Sequence, residues 1–390
     1  MQLTGREAVL TLASGGITTH TGGGAITIIA DDVDFHSGDN RVSGTGALTL
    51  KANALAQGYR VGAAAQSTFG RDFSNNGDTG YFEFSMSDLS ALANGFTEIR
   101  LGHQSAAAVW MQIGDVEDKE VGQFDFSARL DDTMHFVADR YEIVGDVQST
   151  ETLYFSGRTM EVLSKNAKDT EGPPDSGIYG PTVHINLTEQ IVVSGWIRAA
   201  SLVDITVLGS TGVGALVRYG DNDFNGFTAD AGSQIYSENA GSLVSISTTH
   251  SIISGTGISA RGAGSTVHMK AGTHLTLLQG SAVSVEGNDA DVILESTSYL
   301  HLNSGSAVLA GATFDNSGET PVPVATGTGA TLTIRTGGEL TLDGSVTANG
   351  TTVLDAGSSN GDHAEYFDRI NGSNLPRPPT RDSCRPSSRT

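Results

Sequence analysis

Short apolar pairs recur along this chain, separated by turns rich in Gly, Ser, Thr, Asn and Asp. Their i, i+2 spacing puts two side chains on one face of a strand and their neighbours on the other. From Gly232 onward the pairs form files. Val244/Ile246 is followed by Val267/Met269 and Val292/Leu294, at steps of 23 and 25. A second file runs Ile235, Ile258, Val283, Val308 and Leu332, at steps of 23, 25, 25 and 24. A third runs Ile252, Leu275 and Leu300, at steps of 23 and 25. Three files advancing together predict three short strands per cycle, the pattern of a parallel β-helix. The predicted fold is all-β: a right-handed β-solenoid with coils of about 19–25 residues and a disordered C-terminal tail.

The first half repeats less regularly. Ile26/Ile28 leads to Leu48/Leu50 at a step of 22, whereas Met134 leads to Leu153, and Tyr141 to Met160, at a step of 19. Phe124/Phe126 is a further inward pair. Within Leu55–Gly102 the pattern breaks. There Leu89, Leu92 and Phe96 have helical spacing behind a Ser87/Asp88 cap, which predicts a short helix near 87–96. The expected organisation is an irregular β-helix over 1–164, a linker over 165–181, a regular β-helix over 182–357 and a disordered tail over 358–390. The linker holds Pro173, Pro174 and Pro181, three of the nine prolines. Asp315–Pro323 is expected to be a shorter insertion.

Composition sharpens this picture. Gly contributes 50 of 390 residues and supplies positive-φ corners between strands. Lys+Arg number 22 against 44 Asp+Glu, a net charge of −22, which argues against nucleic-acid partners because phosphate contacts need clustered cations. A single Cys excludes an intramolecular disulfide framework. No apolar window is long enough for a transmembrane helix, and no signal-peptide pattern opens the chain. The tail differs from the rest: Arg369, Arg377, Arg381, Arg385 and Arg389 are opposed from there on only by Asp382.

The segments ANGFTEIRLGH (Ala93–His103) and TLTIRTGGELTLDGSVTANG (Thr331–Gly350) resemble the large repetitive β-helical exoproteins of bacteria, the filamentous-haemagglutinin-like adhesins and giant surface proteins. The resemblance covers residues 1–357 and lies in the style of the repeat. It implies an extracellular or cell-surface location, a fragment of a larger protein, and a structural or adhesive role without turnover. The partners it implies are other solenoid segments of the same large protein, and cell-surface glycans or a host surface.

Signals for chemistry are sparse. Parallel β-helices also carry polysaccharide lyases, glycosidases and phage tail-spike proteins, so a carbohydrate-active protein is the alternative reading. That chemistry needs two carboxylates facing each other. Asp31/Asp32 and Asp131/Asp132 are adjacent in sequence, and neighbours on one strand point to opposite faces. Two loops have the spacing of oxygen ligands for calcium. Asp221, Asp223 and Asn225 occupy the first, third and fifth positions before Gly226, with Asp230 as a further ligand. Asp72, Ser74 and Asn76 precede Gly77, and Glu83 stands at the twelfth position. Calcium is the only cofactor these patterns offer. Trp110 and Trp196 each suit either stacking on a sugar or packing beside a strand. His184, His268 and His301 fall at outward strand positions and read as solvent-facing, and the Phe-rich first half reads as a stacked aromatic core.

Overall fold

The computed structural model describes residues 9–12, 16–18, 23–30, 32–35, 39–53, 58–62, 82–104, 109–114, 123–125, 132–162, 177–209, 216–219, 233–255, 257–315 and 322–357. Most of these residues are strand, with one short helix among them, and nearly all the strand pairings are parallel. Among them no helix is long and apolar enough to cross a membrane.

The strands stack into three faces that the chain visits in turn. The first face runs from Ile26–Ala30 through Ala47–Ala52, Glu98–Gly102 and Met134–Val137 to Gly350–Ala356. The second includes Gly58–Val61, Trp110–Ile113 and Arg140–Ile143, and extends to Glu339–Leu342. The third includes Asp146–Gln148 and Gln234–Ser237, and extends to Ser345–Ala348. Gly177–Val193 contributes to all three faces as one strand, pairing with Asp146–Gln148, with Leu153–Val162 and with Leu216–Tyr219. The expected 165–181 linker lies partly outside the described residues, and its last five are strand.

This arrangement is consistent with a β-solenoid, and alternation explains its interior. On the first face one inward file reads Leu48, Ile99, Met134, Leu153, Val183, Val203, Val244, Val267, Val292 and Leu332, all fully buried. A parallel file two residues on includes Phe136, Phe155, Ile185 and Ile205. The rings of Phe136 and Phe155 stack with centroids 5.0 Å apart. Phe82, Phe84 and Phe96 are also buried, while the side chains of Phe124 and Phe126 lie outside the described residues. Each coil thus covers the apolar surface of the one before it, so neighbours rather than single coils stabilise the core.

The sequence files hold except at one step. Val308 pairs with Val346, not with Leu332, and Leu332 instead continues the file of Val292. The cause is an antiparallel hairpin, Ala312–Asp315 with Val322–Ala325, that leaves the coil and returns. Gly311 closes its neck, accepting from Thr326 N–H at 2.8 Å with its own φ at +66°. A constant step carried through the hairpin therefore lands on the wrong face.

The helix is shorter than its spacing predicts: Met86–Ser90 alone is α-helical. Its cap is Ser85, not Ser87. Asp88 N–H donates to Ser85 Oγ at 3.3 Å, and Asp88 Oδ2 accepts from Ser85 N–H at 2.8 Å, a reciprocal capping box. Leu89, Leu92 and Phe96 still point into the core, because the chain after Ser90 rejoins the coil through a bridge from Leu92 to Val42.

One strand is out of order. On the second face Phe82–Phe84 pairs with one edge of Gly58–Val61, whose other edge pairs with Trp110–Ile113. The far side of Phe82–Phe84 meets Asp32–Asp34, where Glu83 N–H donates to Asp32 Oδ1 at 3.0 Å. A strand later in sequence thus lies between two earlier ones.

Candidate functional site

Outward positions of adjoining coils are register partners, and parallel strands lie about 4.8 Å apart, so like positions form rows along the stack. The third face carries the most varied row: Tyr179, Arg198 and Tyr236, paired in that order. The Arg198 guanidinium lies over Tyr179, 4.8 Å from its ring centroid, and over Tyr236, 5.6 Å from its centroid. Glu238 holds it at 2.5 Å. Burial works against the Arg198 charge, but the Glu238 hydrogen bond and the neighbouring carboxylate outweigh it and raise the pKa. Arg261 stands over Tyr236 at 5.6 Å. Beside this row Trp196 is half-buried and pairs with Gly177, whose missing side chain leaves room for the indole. The patch therefore offers aromatic surface, fixed cations and one carboxylate on a rigid strand face, a mixture suited to binding a polar ligand. The sequence marks Trp196 but not its row, because residues 179, 198 and 236 are aligned only by register.

A second row lies on the first face: Arg100, His135, Tyr154, His184 and Asp204. Tyr154 and His184 stack at 4.8 Å with planes 5° apart, and His184 Nδ1 lies 3.3 Å from Asp204 Oδ2. The expected solvent-facing histidines are half-buried and paired along the stack. His268 lies 3.4 Å from Glu295, and His301 lies 3.4 Å from Asp343. Each faces a carboxylate one coil on, a partner invisible without register.

Two carboxylates do face each other across coils. Glu142 and Glu161 are register partners on the second face. Burial, then the neighbouring Glu161, pushes the Glu142 carboxyl above its usual range. Arg140 approaches Glu161 at 3.5 Å. Neither residue belongs to the acidic pairs visible in the sequence.

The other acidic site seals the out-of-order strand. Asp32 Oδ1 accepts from Val33 N–H at 2.8 Å and from Glu83 N–H at 3.0 Å. Asp88 Oδ1 accepts from Phe35 N–H at 2.7 Å. Two carboxylates thus bridge the seam between Asp32–Asp34 and the later chain. Burial raises both, and Asp32 reaches about 7 despite its backbone donors.

Of the calcium candidates, Asp72, Ser74, Asn76, Asp221, Asp223, Asn225 and Asp230 lie outside the described residues. Glu83 is described; it sits mid-strand and faces Arg60 at 3.6 Å. Among the described residues no group of three or more His, Cys, Asp or Glu is placed to hold a metal ion.

No family model, curated protein or solved structure matches this chain.

Proposed function

We propose that the chain is a right-handed parallel β-helix and a non-enzymatic structural or adhesive segment of a large secreted or cell-surface bacterial protein. Parallel strands joined by crossovers are right-handed in about 98% of cases, which supports the hand. Coils of about 19–25 residues form the basic unit, in the range of other solenoid repeats. Insertions such as the 312–325 hairpin lengthen it. The observation that carries the reading is the pair of inward files on the first face, which makes a stiff stack with long outward rows. Twelve strands on that face at about 4.8 Å spacing give a rod of roughly 50–55 Å. The patch of Tyr179, Trp196, Arg198, Tyr236 and Glu238 is the part we assign to contact with a glycan.

Small-angle scattering and a polysaccharide assay test this together. The expected result is an elongated particle that retains glycans on a surface but causes no viscosity loss or reducing-end release. Trp196→Ala is expected to weaken retention at least tenfold. Reproducible turnover would overturn the structural reading.

The alternative, a carbohydrate-active β-helix protein, is favoured by one observation, the facing Glu142 and Glu161. Neighbouring strands are spaced close to the roughly 5–5.5 Å carboxyl separation of retaining glycosidases. Turnover abolished by Glu142→Gln would support it.

A further inference from the structure

Arg60, Arg100, Arg140, Arg158, Arg198 and Arg335 each face a carboxylate. Arg261 differs from them. It is exposed, it stands over the Tyr236 ring, and among the described residues no carboxylate lies within ion-pair distance of it. In a chain of net charge −22, such a guanidinium is a scarce point of attraction for an anion.

Register sets its place. Tyr236 pairs with Arg198 on one side and with Ser259 on the other. Arg261 follows Ser259 by two residues. The two guanidiniums therefore reach Tyr236 from the coil before and the coil after, each 5.6 Å from the ring centroid. Arg261 N–H donates to the Ser237 carbonyl at 3.0 Å, and the Arg261 carbonyl accepts from Ser265 Oγ at 2.6 Å. Gly262, at a φ of +90°, turns the chain behind it. The backbone that carries the guanidinium is thus fixed before a ligand arrives, which lowers the ordering cost of binding.

Among the described residues, the charged side chains acting on Tyr236 are Arg198, Arg261 and Glu238, two cations against one carboxylate. Glu238 is committed to Arg198 at 2.5 Å. One positive charge is left over, and it belongs to Arg261. A guanidinium presents a planar fork of donors that fits a carboxylate or a sulfate, and it is weakly hydrated. Tyr236 and Trp196 add ring surface beside that fork. A neutral sugar would use the rings and leave the charge without a partner, whereas a sugar carrying an acid group uses both.

We propose that this patch selects acidic glycans, and that Arg261 is the residue that reads the acid group. The inference rests on the glycan reading of the patch and names its ligand class.

The test measures retention of the full chain on immobilised oligogalacturonate, dextran sulfate and neutral dextran, in about 0.15 M salt to screen the distant charges of the chain. The first probe carries carboxylates and the second sulfates. Wild type is expected to bind at least one acidic probe roughly tenfold or more tighter than dextran, as one charge-assisted contact allows. The preferred probe identifies the acid group. Arg261→Gln is expected to bring that probe down to the dextran level, and Arg261→Lys to keep part of the preference. Circular dichroism of each variant confirms that the strands are retained. Equal retention on dextran and on both acidic probes overturns the inference and leaves the glycan reading standing. So does an acidic preference that survives Arg261→Gln. Retention on none of the probes overturns the inference and the glycan reading together.

Discussion

Tyr59 and Tyr141 occupy matching inward positions on the second face, one on each side of Met111. Each turns its hydroxyl to a corner N–H: Tyr59 Oη accepts from Ala52 at 2.7 Å, and Tyr141 Oη accepts from Ala138 at 2.8 Å. The further partners of the two hydroxyls differ. Tyr141 donates to the Ser156 carbonyl at 2.7 Å, and Tyr59 Oη shares a hydrogen bond with His103 Nδ1 at 2.6 Å. Burial, then the Lys51 charge, holds the His103 pKa below its usual range.

The two corners are not equally protected. Ala138 N–H has a second acceptor in the Ser156 carbonyl at 3.2 Å, whereas Ala52 N–H has Tyr59 Oη alone among the described side-chain, turn and loop hydrogen bonds. Tyr59→Phe is therefore expected to cost about 1–3 kcal/mol, the penalty of an unsatisfied buried donor. Tyr141→Phe is expected to cost less. Urea unfolding of the two variants measures the difference, and an equal or reversed order would contradict it.

The Asp32 seam makes stability depend on pH in a definite direction. Its folded pKa of about 7 lies above the ordinary value of 3.8, so the folded state binds the proton more tightly. The contribution is fully present below about pH 4 and is lost as pH rises through about 7. Asp32→Asn keeps an oxygen for Val33 and Glu83 but removes the charge. It is expected to flatten the decline in stability between pH 4 and 7, and to raise stability at pH 8. The gain is at most about 4 kcal/mol, since one pKa unit is worth about 1.4 kcal/mol. Denaturation of both proteins across that range checks the slope. A steeper decline in the variant would contradict it.

A methyl group on Gly177 would overlap the Trp196 indole. Gly177→Ala is expected to destabilise by about 1–3 kcal/mol through this overpacking. In a Trp196→Ala background the same substitution should be nearly neutral. A double-mutant cycle reads the coupling, and a cost unchanged by loss of the indole would show that the clash is not its source.

The 312–325 hairpin is expected to be dispensable to the stack. Its ends meet at the Gly311–Thr326 hydrogen bond of 2.8 Å. Val292 pairs with Leu332 at a step of 40, as Ser296 does with Thr336. Excising 312–325 reduces that step to 26, close to the step of 25 from Val267 to Val292. The deletion variant is expected to fold with a melting temperature within about 5 °C of wild type, because Ala312 is the only buried apolar side chain among the described hairpin residues and an insertion between coils adds little to the core. Failure to recover folded protein would place the hairpin within the core's support.

Alternation made most inward positions legible. Val244, Val267 and Val292 are of one type and follow turns of similar length, so their file is visible without coordinates. Leu332 was hidden because an inserted hairpin shifts sequence distance without shifting register. The candidate site was far less legible. Tyr179, Arg198 and Tyr236 follow one another at steps of 19 and 38, so only unequal coil lengths bring them into one row. Hydroxyl residues misled in another way, since a turn-like Ser can also lie inside. Ser281 and Ser306 are buried because each gives its Oγ proton to a carbonyl three residues earlier, at 2.6 and 2.7 Å.

The misplaced strand Phe82–Phe84 constrains the order of assembly during synthesis. Most of the stack can form by adding each coil to the one just completed, with contacts that are close in sequence. Near the start this cannot happen. The slot between Asp32–Asp34 and Gly58–Val61 is filled by residues that emerge later than either wall. A nascent chain must hold that slot open until Phe84 has left the ribosome. The opening coils should then fold as one late, cooperative nucleus, and the remaining coils should follow by accretion.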